Sequence, residues 1–203
     1  MTTLTTNYLT PTGREEAWRF TPLKRLGGMH DGSAIVADRH SLTLAGSKAT
    51  GVSFELKSSS DAPVLSESDD AIVGRIREAA RDVAVLTISA NTEVAEPIIL
   101  KRTPGDVQSA EFARVQIKVE NHARATIIVE NTGDTHLAED LEIALAPGSN
   151  LKFVTLQEFE SKSVYTARHH AVIDKDATFK SVTVTVGGDV VRILPTVEFI
   201  APG

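Results

Sequence analysis

Cysteine is absent from all 203 residues. That excludes disulfides, thiol nucleophiles, zinc knuckles and any iron–sulfur cluster ligated by this chain's own cysteines. Aromatic residues make up only 5% of the chain, with a single tryptophan, Trp18, so few large rings are available to line a substrate groove. No stretch approaches the roughly 18 consecutive apolar residues of a membrane span, and the Thr-rich start has neither the basic nor the apolar region of a secretory signal. The expected location is therefore the cytoplasm, with no membrane partner. Basic residues number 21 against 27 acidic ones, for a net charge of −6. Scattered in that way they offer phosphate backbones no long-range attraction, and nucleic acid is not an expected partner. The motifs of a phosphate loop, a dinucleotide fold, a zincin and a hydrolase elbow are all missing as well. What remains is 41% hydrophobic residues, enough for a buried core in one or two domains.

The tryptophan stands in EEAWRF, residues 15–20, followed at once by TPLKRL. Thr12 and Glu15 have the spacing of a capping box, which predicts a short helix through Trp18. Pro22 ends that helix, and with Thr21 as N-cap it starts a second one that Gly27 and Gly28 close. Ala17, Trp18, Phe20, Leu23 and Leu26 have no large apolar neighbours in sequence. The segment is expected to dock, through Trp18 and Phe20, on this chain's own body or on a partner.

Residues 29–70 are irregular, with one strand predicted around Val52, Phe54 and Leu56 and a loop or linker in SSSDAPVLSESDD. This gives an amino-terminal helical and irregular region over 1–70. A helix capped by Ser68 or Asp69 comes next, carrying Ile72, Val73, Ile76, Ala79 and Ala80 on one face, and it opens a second region over 71–203 as a capping helix.

Beyond Arg81 strand patterns take over. ARVQIKVE alternates Val115, Ile117 and Val119 with Arg114, Gln116, Lys118 and Glu120. Leu141, Ile143 and Leu145 repeat the pattern, as do Val182, Val184 and Val186. Polar corners, NHARA from Asn121, APGSN from Ala146 and DKDAT from Asp174, recur at offsets of about 25–28 residues, the range of solenoid repeats. A β-sandwich would favour Asn-Gly or Asp-Gly hairpin turns, and this half of the chain has none. The predicted fold is mainly β: a right-handed parallel β-helix behind a small helical region, with aliphatic side chains in its lumen. The chain stops at Ala201-Pro202-Gly203 where another coil is due, so the sequence is expected to be the first part of a longer solenoid, open to self-association at its last coil.

Candidates for chemistry are few. Arg168-His169-His170 is the foremost, yet adjacent strand residues point to opposite faces, so the two imidazoles make a poor chelating pair. A histidine bonded to backbone or solvent is the expected state, with weak metal binding by His169 as the alternative. His122 and His136 read as surface residues. Glu139, Asp140 and Glu142 could imitate a catalytic carboxylate pair, but a solvated face is expected. Arg192 reads as an outward strand residue, and Gly187 and Gly188 as the turn before its strand. No catalytic, cofactor-binding or metal residue is assigned.

EEAWRFTPLKRL resembles the amino-terminal signature of SufD, of the SufB/SufD family. The order of the later segments is similar too: VAEPIIL with Glu96 and Pro97, then ARVQIKVENHARATIIVE, then VGGDVVRILPTVEFIAPG with Gly187, Gly188 and Arg192. The resemblance covers the whole chain and about the first half of the family's usual length. It implies a non-enzymatic scaffold subunit of the SufBCD iron–sulfur cluster assembly complex, associated with iron acquisition. The implied partners are SufB-like and SufC-like subunits, bound through the later β-helix and a carboxy-terminal helical region respectively. The family's important histidine lies beyond Gly203. No cofactor is expected on this stretch itself, since the cluster is built by the whole complex and thiolate ligands would come from SufB. Two alternatives stand beside it: a pectinase-like β-helix enzyme, and a structural solenoid that polymerises end to end.

Overall fold

A computed structural model describes residues 8–46 and 49–202; the Thr-rich opening and the last residue of the terminal APG corner lie outside them. Among the described residues eleven strands form two sheets. The six-stranded sheet has the order β11(Val190–Phe199), β9(Val164–Ile173), β7(His136–Leu145), β5(Ala110–Val119), β3(Asp82–Ile88), β2(Val52–Ser58). The five-stranded sheet runs β1(Leu42–Ala45), β4(Ile98–Arg102), β6(Arg124–Gly133), β8(Asn150–Phe159), β10(Thr178–Gly187). From β3 onward all strand pairs are parallel, and successive strands alternate between the sheets, so the chain winds as a parallel β-solenoid. The register gives a repeat of 26 residues from Ala110 to His136 and of 28 from His136 to Val164. The corner spacing in the sequence anticipates both.

Each rung buries one phase of its alternation. Val115, Ile117, Val119, Leu141, Ile143 and Leu145 face Ile127, Val129, Leu151 and Phe153 in a single lumenal cluster. At the last rung the expected phase is overturned. Phe179, Ser181, Thr183 and Thr185 share the inward phase of Leu151, Phe153, Thr155 and Gln157, and Val182, Val184 and Val186 stand on the outer face, 43–58% exposed. Register decides here, because a parallel pair keeps the phase of the strand before it whatever the residue type.

The corners need left-handed backbone. Asn91, His122 and Asp176 have φ of 59°, 58° and 56°, and Gly148 has 69°. They are joined rung to rung by bonds from Asn91 N to Asn121 O (2.8 Å), His122 N to Pro147 O (3.1 Å) and Gly148 N to Lys175 O (2.9 Å). A Cβ on Gly148 would also sit 2.3 Å from His122 Nδ1. Gly148→Val is therefore expected to cost at least about 2 kcal/mol, and His122→Gly to be neutral or stabilising, both by urea unfolding.

The amino-terminal region departs from expectation in several places. Glu16–Trp18 and Leu23–Arg25 are single 3-10 turns rather than α-helices. Half of the capping box is present: Glu15 accepts from the Thr12 backbone N–H at 3.1 Å. Leu42–Ala45 forms a strand inside the irregular stretch, and β1 and β2 pair antiparallel with the first rung. Helix α1(Ala71–Ala79) is capped by Asp70, one residue after the expected position, whose Oδ1 accepts from Ile72 N at 2.9 Å and Val73 N at 3.2 Å. The helix lies on the outer wall of the six-stranded sheet. Ile72 and Ile76 join Trp18, Leu26, Met29, Ala110, Phe112, Ala138, Val164 and Val190 in a second cluster. Trp18 is buried there, whereas Phe20 is 91% exposed and does not anchor the arm to this chain's own body.

Candidate functional site

The polar interior of the solenoid differs most from the aliphatic lumen expected. Glu111 shares the inward phase of Ala113, Val115, Ile117 and Val119, and Glu139 that of Leu137, Leu141, Ile143 and Leu145; both carboxylates are fully buried. Arg102, inward beside Ile98 and Leu100 on the opposite sheet, joins them. Its Nη1 donates to Glu111 Oε1 at 2.8 Å, its Nη2 donates to Glu139 Oε1, and its Nε donates to Asn131 Oδ1 at 3.1 Å. The Ser41 hydroxyl donates to Glu111 Oε2 at 2.6 Å, and Tyr165 O–H donates to Glu139 Oε2 at 2.6 Å. His169 closes the group, its Nε2 3.3 Å from the Tyr165 oxygen and 3.8 Å from Glu139 Oε2, with its ring edge-on to Phe153.

These contacts fix protonation. Burial alone would raise the Glu139 carboxyl, but the Arg102 charge, the neighbouring His169 and the hydrogen bond from Tyr165 outweigh it and bring its pKa from the ordinary 4.5 to about 2. Burial and the adjacent carboxylate push the Tyr165 phenol well above its ordinary value. Glu139 thus stays ionised and holds no proton to give. Because its folded pKa lies below the unfolded one, its contribution is complete above about pH 4.5 and is lost as pH falls toward 2. Acid unfolding is expected to remove on the order of 3 kcal/mol of stability across that window. Glu139→Gln should flatten the profile, as read by urea unfolding at stepped pH.

A second network lies on the outer wall, beneath the Ser-rich loop and α1. Stacked register places Arg114, Asp140 and Arg168 in one column of alternating charge, and Gln116, Glu142, His170 and Thr196 in the next. Asp140 accepts from Arg77 Nε at 2.9 Å and Arg168 Nε at 2.8 Å. Glu142 Oε1 accepts from the backbone of Leu65 and Ser66 at 3.0 and 3.1 Å and from Arg168 Nη2 at 3.1 Å. Arg114, Gln116 and Arg168 donate to the carbonyls of Ala62, Pro63 and Glu67. The expected solvated acidic face is therefore buried on both of its sides: Glu139, Asp140 and Glu142 are each at most 1% exposed. The reason is that the loop read as a linker folds back as a lid over the outer face.

The remaining candidates from the sequence are dispersed over the solenoid. His169 and His170 do point to opposite faces, but both are buried and take side-chain partners. His170 Nδ1 lies 2.7 Å from Thr196 Oγ1, and burial together with Arg168 lowers its pKa. His122 is exposed, while His136 is half-buried beneath Gly27. Arg192 is outward and covered: its Nη2 donates to Asp70 Oδ2 at 2.9 Å, and its guanidinium lies 3.9 Å from the Trp18 ring centroid. Arg25 donates from Nη2 to the Asp189 carbonyl at 2.8 Å, so the amino-terminal arm is tied to the start of β11. Gly187 and Gly188 have φ of 76° and 83° and make the turn into β11. Arg102, Glu111, Arg77 and Tyr165 were not singled out by sequence reasoning. The signal that could have found them was a charged or hydroxylated residue in the inward phase of neighbouring rungs. Among the described residues no group of three or more His, Asp or Glu is placed to hold a metal ion, and no helix is long and apolar enough to cross a membrane.

Comparison with known proteins puts these rungs in context. The family model described as the SUF system FeS cluster assembly SufBD core domain matches residues 102–203, which is β5 to β11 together with Arg102. An iron–sulfur cluster assembly SufBD family protein of Mycobacterium leprae is 30% identical over 195 residues, covering 95% of this chain and 49% of the relative. One from Mycobacterium tuberculosis H37Rv is 32% identical over 196 residues, with the same two shares. The chain spans about half the length of the curated relatives it matches. No solved structure matches.

Proposed function

We propose a role from one premise: this chain belongs to the SufBD family of the SUF iron–sulfur cluster assembly system. Its part in that system is that of a non-catalytic scaffold of SufD type, cytoplasmic, working in a complex with SufB-like and SufC-like subunits. The observation that carries this reading is the match of the family model to residues 102–203, the same rungs that hold both buried ionic networks. A scaffold has to keep one shape while a cluster is assembled and handed on. Charged groups locked between rungs and under a lid favour a single register over slipped ones. The cluster is cargo here. These 203 residues contain no cysteine and so supply no thiolate; the soft ligands for iron come from elsewhere in the complex.

Co-expression tests the reading. The product of the uninterrupted reading frame that encodes this chain, tagged and expressed with the SufB-like and SufC-like subunits of the same genome, is expected to co-purify with both. Purification alone, with the two partners forming a complex without it, would contradict the proposal. Pectate or galacturonan turnover by the purified protein would favour the carbohydrate-active alternative instead.

A further inference from the structure

The outer wall of the five-stranded sheet carries a pattern that neither network uses. The cluster seating the arm and α1 draws its strand residues from the six-stranded sheet alone. On the other wall, parallel register aligns Ile99, Ile128, Val154 and Val182 in one outward column, and Lys101, Glu130, Leu156 and Val184 in the next, apolar on its last two rungs. Ile128, Val154 and Leu156 are half-buried, and Val182 and Val184 are exposed. The result is an apolar stripe along the solenoid axis, advancing about 4.8 Å per rung.

Strand β8 sits inside this wall, and its outward residues read Lys152, Val154, Leu156, Glu158: basic, apolar, apolar, acidic. Lys152 and Glu158 are exposed, and neither has an ion-pair partner among the described residues. Such a series complements itself. A half-turn about an axis along the stripe lays β8 of a second copy antiparallel over the first. Lys152 of each copy then faces Glu158 of the other, and Val154 faces Leu156. Packed sheets sit about 10 Å apart face to face, the distance at which such side chains interdigitate. The same operation sets Val182 of β10 against Val184. Thr126 of β6 meets Thr132, while Glu130, already held by Lys101 at 3.0 Å, meets Ile128 as the weakest contact.

We propose that this wall is an isologous interface between two copies of this chain, with Lys152 and Glu158 as its reciprocal charge pair. It is distinct from self-association through the last rung, and it does not rest on the SUF role. The test uses the chain as it is, in an equal mixture of 15N-labelled and unlabelled protein treated with a zero-length carbodiimide cross-linker. The expected product is a Lys152–Glu158 amide joining a heavy to a light peptide. Within one strand these side chains stand about 20 Å apart and cannot be joined. In sedimentation equilibrium, Lys152→Glu and Glu158→Lys should each weaken the dimer by about tenfold, and the double swap should restore it to within about threefold. Both residues are exposed, so circular dichroism should show all three variants folded. A protein that stays monomeric at millimolar concentration overturns the proposal. So does a dimer indifferent to the swaps, or one whose cross-links map to β11 and the last rung.

Discussion

Arg102→Ala is expected to lower the unfolding free energy by about 3–5 kcal/mol, because it leaves two buried carboxylates without their shared cation. Arg102 bonds Glu111, Glu139 and Asn131 from a side chain 3% exposed. Among the described residues Glu111 would keep only the Arg39 cation, whose Nε lies 3.3 Å from Oε2, while Glu139 would have to gain a proton or admit solvent into the lumen. Combining the change with Glu111→Gln and Glu139→Gln should recover a large part of the loss, since neutral amides cost less to bury than charges do. Urea unfolding followed by circular dichroism reads both effects. A loss under about 1 kcal/mol for the single variant would mean that the lumen is wet and the network weak.

Trp18→Ala is the second large effect, at about 3–5 kcal/mol if the arm unfolds together with the body. The ring is 5% exposed, packs with Leu26, Met29 and Ile72, and carries the Arg192 guanidinium on its face. Removing it also strips Arg192 of one of its two partners, leaving the bond to Asp70, the residue that caps α1. Phe20→Ala, two positions away, is expected to stay within about 0.5 kcal/mol. Thermal or urea unfolding of the pair separates anchor from bystander. Equal effects at Trp18 and Phe20 would contradict the docked arm.

That contrast marks the limit of what a sequence can say about burial. Trp18 and Phe20 share one short charged segment and look alike as anchors. A 3-10 turn points one inward and leaves the other in solvent, and nothing in the spacing fixes that choice. The solenoid itself was legible, because strict alternation through Val115–Val119 and Leu141–Leu145, with corners at Asn121, Ala146 and Asp174, leaves few other ways to bury those faces. Val182, Val184 and Val186 misled for a related reason. Valine marks a strand without marking its inner face, and the phase is inherited from Leu151 and Phe153 on the preceding rung of the same sheet. The ionic networks were hidden by long-range pairing: Ser41 meets Glu111 and Leu65 meets Glu142 across 70 and 77 residues. Such contacts need the fold before they can be counted. The phase clue was nevertheless present in Glu139, one charged residue among the inward-facing leucines and isoleucine of β7.

The absence of cysteine makes the central claim, parallel rungs in the stated register, open to a direct measurement. Lys118, Ala144 and Val172 stand in one outward column on β5, β7 and β9, at the spacing of about 4.8 Å between neighbouring strands, within disulfide range. The double variants Lys118→Cys/Ala144→Cys and Ala144→Cys/Val172→Cys are each expected to oxidise to an intramolecular disulfide in dilute, folded protein, with peptide mass spectrometry identifying the bridged pair. Free thiols in both variants, or bridges forming between chains alone, would contradict the stacked register and with it the account of both buried networks.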